Sequence, residues 1–194
     1  MDVTLPDMLH AAIRHAPVFG ASVSGVRNEA TVRSAPGVVD VVLIDGRHVA
    51  VLARSWWQAE QAAWLLQIDW SATGAEAVDS AQLAARLTEA LATGSPHDHI
   101  DEGDAAAALA APGATVIEAE YGVPFVTHAY MEPMNATAIL HPDGRAEIWA
   151  PSQNRVTMRS GAARGMGWAG VSARETTLHI TMNGGAFGRR SDQD

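Results

Sequence analysis

The sequence predicts an α+β fold in two parts, and three observations carry that prediction. The first third alternates strand-like and helix-like segments around an Asp-Gly pair. A stretch of small residues, Ser71 to Ala77, then interrupts the pattern as a linker would. Beyond it the alternation resumes and runs into a glycine-rich segment near the end of the chain. The division expected is a compact α/β domain over 1–72 and a second mixed α/β segment over 73–194.

In the first part, Ala21 to Val26 reads as a short strand, and Asn28 is placed to cap a helix through Ala35 that Pro36-Gly37 ends. Val38 to Ile44 is apolar and β-branched. Asp45-Gly46 turns it back into His48 to Arg54, a strong hairpin signal. Ser55 followed by Gln58 is a capping box, opening a helix that carries Trp57, Ala62, Leu65 and Leu66 and leads to a strand ending at Trp70. In the second part, Asp79 or Ser80 caps a helix with Leu83, Leu87 and Leu91 in one row, stopped by Gly94. Gly94 to Asp104 reads as a polar surface loop, and Asp104 as the cap of an alanine-rich helix closed by Pro112-Gly113. Thr115 to Tyr121 suits a strand. Thr137 to His141 and Arg145 to Ala150 flank the turn Pro142-Asp143-Gly144. Asn154 to Gly165 is predicted helical and Glu175 to Met182 a strand.

Composition narrows the function. At 194 residues, 47% hydrophobic and 18% charged, the chain is long and apolar enough to build a core. A net charge of −9 argues against a nucleic-acid partner, because phosphate binding needs a basic face. The absence of cysteine excludes disulfides, thiolate metal sites, iron–sulfur ligation and a thiol nucleophile within this chain. No apolar run approaches the roughly 20 residues of a membrane span. The first residues lack the basic and apolar regions of a signal peptide, which leaves cytoplasm and periplasm both open.

Three segments concentrate chemistry. Gly184 to Arg190, GGAFGRR, follows a strand: glycines let the backbone approach a ligand, and two arginines can grip a phosphate or other oxyanion. The same pattern also describes a glycine-rich turn closed by surface arginines. It lacks both the Gly-x-Gly-x-x-Gly spacing of a dinucleotide fold and the Gly-Lys-Ser/Thr of a phosphate loop. Trp149 to Asn154 offers the Gln153 carboxamide, a neutral donor for an oxo group, although Ser152 as a helix cap with Gln153 in a solvated first turn is the simpler account. Tyr121 to Asn135 gathers aromatics with His128 and Glu132. It either lines a site or is a core-facing loop in which Phe125 and Met131 pack while His128 and Glu132 satisfy each other. His97, Asp98, His99, Asp101 and Glu102 form an acidic surface loop rather than an ordered metal site. Tryptophans 56, 57 and 64 are expected in the core or at an interface. Ser152 and Ser160 sit in no nucleophile-elbow context, so a hydrolase triad is not supported.

Taken in order, VPFVTHAYMEP, WAPSQN and GGAFGRR resemble the large subunit of the molybdenum hydroxylases, the xanthine dehydrogenase and aldehyde oxidase family. The double arginine and HAYMEPMNATA are most similar to the isoquinoline 1-oxidoreductase beta-subunit branch. PVFGASVSGV and the stretch from Ala35 to Trp70 resemble the hammerhead-type α/β domain of that family, placing an incomplete molybdopterin-binding domain after it.

The resemblance implies a molybdopterin cofactor carrying molybdenum, as the simple pterin or its cytosine dinucleotide. It assigns Gln153 to the apical oxo ligand and Ala186-Phe187-Gly188 to the segment beside the metal, with Gly185 and Arg189 near the cofactor. His128 and Glu132 match the family's HxxxE pattern without an assigned role. In the family, a metal-activated water attacks an electron-poor carbon of an aldehyde or N-heterocycle while a glutamate acts as base, and electrons leave through an iron–sulfur subunit or domain.

No glutamate here matches that base, so the chain is expected to be a fragment inactive alone, requiring the remaining part of the large subunit and self-associating without it. Ser191 stands where the xanthine dehydrogenase branch has a substrate-facing glutamate, so a purine preference is not expected. Ala186 replaces the usual third glycine and adds a methyl near the cofactor, and Asp194 matches an acid of the isoquinoline branch. A non-catalytic binding or assembly module, and a nucleotide-phosphate binder unrelated to molybdenum, are the competing functions.

Overall fold

A computed structural model describes residues 3–95, 102–168 and 175–191. The chain divides into two compact units, Met1–Thr73 with Thr127–Asp194, and Gly74–Val126.

The first unit begins with a strand that the sequence analysis does not identify, β1 (His10–His15). It follows as β2 (Val23–Val26), α1 (Glu29–Arg33), β3 (Val38–Ile44), β4 (His48–Ala53), α2 (Trp56–Trp64) and β5 (Ile68–Trp70). The Asp45-Gly46 turn is left-handed at both residues, φ +48° and +75°, as a tight hairpin with the native strand twist requires. β1, β4 and β3 form one antiparallel sheet with β4 in the centre, and β2 pairs with β5. β1 escapes notice because HAAIRH alternates weakly and its ladder partner β4 lies far along the chain.

The core consists of Val32, Val41, Val49 and Val51 with Ala12, Ala53, Ala59, Ala62 and Ala63. Three alanines on the inner face of α2 let the helix lie close against the sheet. The large side chains therefore face outward, and Trp56, Trp57 and Trp64 are 56%, 65% and 70% exposed, which leaves the interface half of the expectation for them. Ser55 Oγ accepts from Gln58 N–H, as a capping residue does. Arg14 reaches from β1 to the other end of α2, donating to Ala63 O and lying 4.5 Å over the Trp64 ring. Asn28 precedes α1 but does not cap it. Its side chain donates to Leu65 O and accepts from Gln67 N–H, since those groups need partners where the chain leaves α2.

The later part of this unit is a hairpin followed by a crossover: β6 (Thr137–Leu140), β7 (Ala146–Pro151), α5 (Arg155–Trp168) and β8 (Thr176–Thr181). β7 pairs antiparallel with β6 and parallel with β8, so α5 is the crossover helix of a β-α-β unit. Asn154 caps α5, its Oδ1 accepting from Val156 N–H, and Ser152 is not the cap. On the sheet, Glu147 accepts from the Nε2 atoms of His141 (2.9 Å) and His179 (2.8 Å) and ties β7 to both neighbours. Those two hydrogen bonds, His179 first, hold its carboxyl below the usual glutamate range. His179 also stacks on Trp149 at 4.7 Å.

The second unit holds α3 (Ser80–Thr93), capped by Asp79, and α4 (Ala105–Leu109), capped by Asp104. Neither helix contains a buried residue. The strand expected at Thr115–Tyr121 is not formed. Residues 115–126 make no backbone hydrogen bond among the described residues, because no strand there offers an edge to pair with. Phe125 and Met131 are 81% and 93% exposed, against the core-facing one of the two readings of their segment. Of the acidic cluster, His97, Asp98, His99 and Asp101 lie outside the described residues, as does Asp194. Among the described residues no helix is long and apolar enough to cross a membrane, and no group of three metal-ligating side chains occurs.

Candidate functional site

Parallel strands joined by a crossover helix leave their carboxyl ends open on the same edge of the sheet, where α/β folds hold ligands. Here the loop after β7 carries Gln153 and the loop after β8 carries Gly184 to Gly188. The two loops are joined directly. Gln153 N–H donates to Arg190 O at 3.1 Å, and Gln153 Oε1 accepts from Gly188 N–H at 3.1 Å. Engaging the oxygen fixes the carboxamide and leaves its NH2 group as the free end, without a partner among the described residues.

The glycine loop has an unusual backbone. Gly185 and Gly188 adopt φ of +92° and +99°, and Phe187 is left-handed at +51°. Only glycine accepts such angles without cost, so Phe187 is held there by its surroundings. Its ring is 77% exposed. Ala186, in contrast, is 4% exposed, so its methyl faces the protein interior and adds nothing to the open surface. Arg189 is partly buried in the 3-10 turn Arg189–Ser191, where its N–H donates to Ala186 O at 2.9 Å. Thr157 Oγ1 donates to Ser191 O, fastening the end of that turn to α5.

Arg190 is neither a ligand-facing cation nor a surface residue. It is 2% exposed, and its Nη2 donates to the carbonyls of Glu132 (2.9 Å) and Pro133 (3.0 Å) while Nη1 pairs with the Glu132 carboxylate at 3.0 Å. Glu132 also accepts from Gly184 N–H at 2.7 Å and from Asn135 Nδ2 at 3.3 Å. The Gly184 N–H above all, then Asn135 and Arg190, holds this carboxyl below the usual range. Glycine is required at 184, since a Cβ there would lie 2.8 Å from Glu132 Cβ. His128 borders the loop, its Nε2 4.0 Å from where a Gly188 Cβ would stand, and makes no hydrogen bond among the described residues. The mutual satisfaction of His128 and Glu132 is thus replaced by a latch between Glu132 and the glycine–arginine segment. The sequence signal for it was the HxxxE spacing, which shows that Glu132 matters but not that its partner lies 58 residues on.

Gln153, Gly185, Ala186, Phe187, Gly188 and Arg189 therefore lie on two adjoining loops. An oriented neutral donor, an exposed aromatic ring and open glycine backbone suit a flat, oxygen-bearing ligand. The Glu132 carboxylate beside the glycine loop is already engaged by Gly184, Asn135 and Arg190. Fold and loop geometry together describe an α/β unit whose candidate site lies at the strand ends.

Comparison with known proteins specifies which one. The family described as "Molybdopterin cofactor-binding domain" matches residues 88–193, over half of the chain, and the chain belongs to that family. It is similar to isoquinoline 1-oxidoreductase subunit beta of Brevundimonas diminuta, 29% identical over 98% of this chain and 25% of that protein. The chain thus spans about a quarter of the length of that curated relative. Among solved structures it resembles quinoline 2-oxidoreductase from Pseudomonas putida 86, with TM-score 0.66, 20% identity, and coverage of 97% of this chain and 28% of that one. It also resembles aldehyde oxidoreductase from Desulfovibrio gigas, with TM-score 0.66, 21% identity, and coverage of 94% and 24%. At such identities these two likenesses establish the mixed helix–strand fold.

Proposed function

We propose that this chain is the part of a molybdenum hydroxylase large subunit that presents Gln153 and the Gly185–Arg189 segment to a molybdenum–pterin cofactor. Residues 1–72 would be its hammerhead-type domain and 73–194 the beginning of its cofactor-binding domain, whereas the compact units divide the chain after Thr73 and Val126. The observation that carries this reading is the Gln153 carboxamide, locked through its oxygen by Gly188 N–H so that only its NH2 faces outward. That end can donate to an oxygen of the cofactor without adding charge. Gly185 and Gly188 leave the backbone open to close approach, Phe187 covers a face and excludes water, and Arg189 adds positive charge beside an anionic group. When bound, the cofactor supplies a two-electron oxidation, with water as oxygen source and an aldehyde or N-heterocycle as the substrate class.

The full enzyme would add the rest of the large subunit, with the general base that these residues lack, and an iron–sulfur subunit or domain to receive electrons. The pterin would be the simple form or its cytosine dinucleotide. Self-association of the chain by itself follows from its exposed apolar residues. A second reading, a non-catalytic binding or assembly module, is favoured by one observation: Glu132 is engaged by Gly184, Asn135 and Arg190.

Gln153→Ala in the complete large subunit, expressed in the native host, separates the two. The expected result is normal protein yield and pterin content with turnover reduced about 100-fold, the scale of removing one oriented donor. Unchanged turnover, or turnover and yield falling together, would overturn the role given to Gln153.

A further inference from the structure

We propose that His15 and His48 form a two-histidine chelate for a divalent transition-metal ion, far in sequence from the glycine loop and independent of the cofactor reading. The two residues face each other across the β1–β4 ladder, the register pairing them directly. Their Nδ1 atoms are 3.1 Å apart, and the rings meet edge to face with centroids 4.8 Å apart. Metal–imidazole bonds are about 2.0–2.1 Å long, so two nitrogens on one ion lie about 2.9 Å apart at a right angle and about 3.4 Å apart at the tetrahedral angle. The observed spacing falls between those limits, so neither ring needs to move far to share an ion.

The nearby carboxylate supports the required tautomer. Asp45 Oδ1 lies 3.8 Å from His48 Nε2, on the side of the ring away from His15. Its charge favours the proton on Nε2 and leaves the Nδ1 lone pair for the metal, as a carboxylate behind a ligating histidine commonly does. Asp45 is itself fixed by the left-handed hairpin turn, and its Oδ1 accepts from Arg47 N–H. Two neutral nitrogen donors select zinc, copper or nickel over magnesium or calcium. The two imidazoles supply two positions, and no third histidine or carboxylate completes a cluster among the described residues.

Titration of the full chain with Zn2+ by calorimetry tests this. One equivalent is expected to bind, to be lost in His15→Ala and in His48→Ala, to survive in His141→Ala, and to weaken about tenfold in Asp45→Asn. A His97→Ala/His99→Ala variant that keeps the equivalent removes the other histidine pair from consideration. Imidazole nitrogen NMR on the unaltered chain gives a readout that needs no variant: Zn2+ should shift Nδ1 of both His15 and His48. If Zn2+ shifts neither resonance, or folded His15→Ala and His48→Ala proteins bind it like the parent, the pair is an ordinary hydrogen bond and the proposal fails.

Discussion

A phenylalanine at φ +51° with its ring in solvent gives up backbone comfort and gains no packing in return. Phe187→Gly should therefore leave the fold intact or stabilise it by about 0.5–1 kcal/mol. In the complete subunit the same change should lower retained pterin severalfold, measured by fluorescence of the oxidised cofactor after gel filtration. Undiminished retention would show that the ring serves some other purpose. Site residues were legible in the sequence to unequal degrees. Gln153 and Gly185 to Gly188 could be put forward as candidates because the carboxamide and glycine chemistry that marks them is local. Neither reading offered for Arg190, an oxyanion-gripping or a surface arginine, anticipates its burial, which depends on Glu132 and Pro133, and no local pattern places them beside it. The burial of Ala186 was not legible for a similar reason: which side of a loop a methyl faces is set by packing.

At the scale of elements, turn and cap chemistry was often a good guide, failing at Asn28, which bonds the end of α2 instead, and at Ser152, whose place Asn154 takes. Asp45-Gly46, Ser55, Asp79 and Asp104 each act where the sequence places them. Prediction failed where an element depends on a distant partner, as with β1, found only through β4, and with Thr115–Tyr121, which has no partner here. The Glu147 clamp gives a pH prediction for the sheet beneath the site. Its carboxyl is depressed in the folded chain, so the stabilisation is fully present above the ordinary glutamate range and is lost as pH falls through the depressed value. Amide exchange across β6 to β8 should accordingly accelerate on acidification below the ordinary range. Glu147→Gln should flatten that dependence, and an equally steep profile in the variant would assign it to other groups.

For the molecule as a whole, the exposed apolar side chains stand out. Ile117, Tyr121, Val123, Phe125, Val126 and Met131 are each at least 81% exposed within one continuous stretch of chain. Such a surface seldom remains bare in solution. The isolated chain should show a weight-average mass above that of a monomer, rising with concentration in light scattering. Coexpression with the remainder of a large subunit should suppress the rise. A concentration-independent monomer would mean that the stretch finds cover within the chain. The division into two compact units was only partly readable, because hydropathy marks a linker but not which flanking segments reassociate.

Gly184 makes the two loops vulnerable at a position whose role is to let Glu132 approach. A side chain there displaces Glu132, Glu132 releases the Arg190 guanidinium, and Arg190 carries the carbonyl on which the Gln153 amide rests. One added methyl would thus be relayed through Glu132 and Arg190 to the backbone of a residue 31 positions earlier, a defect invisible to any survey of the two loops alone.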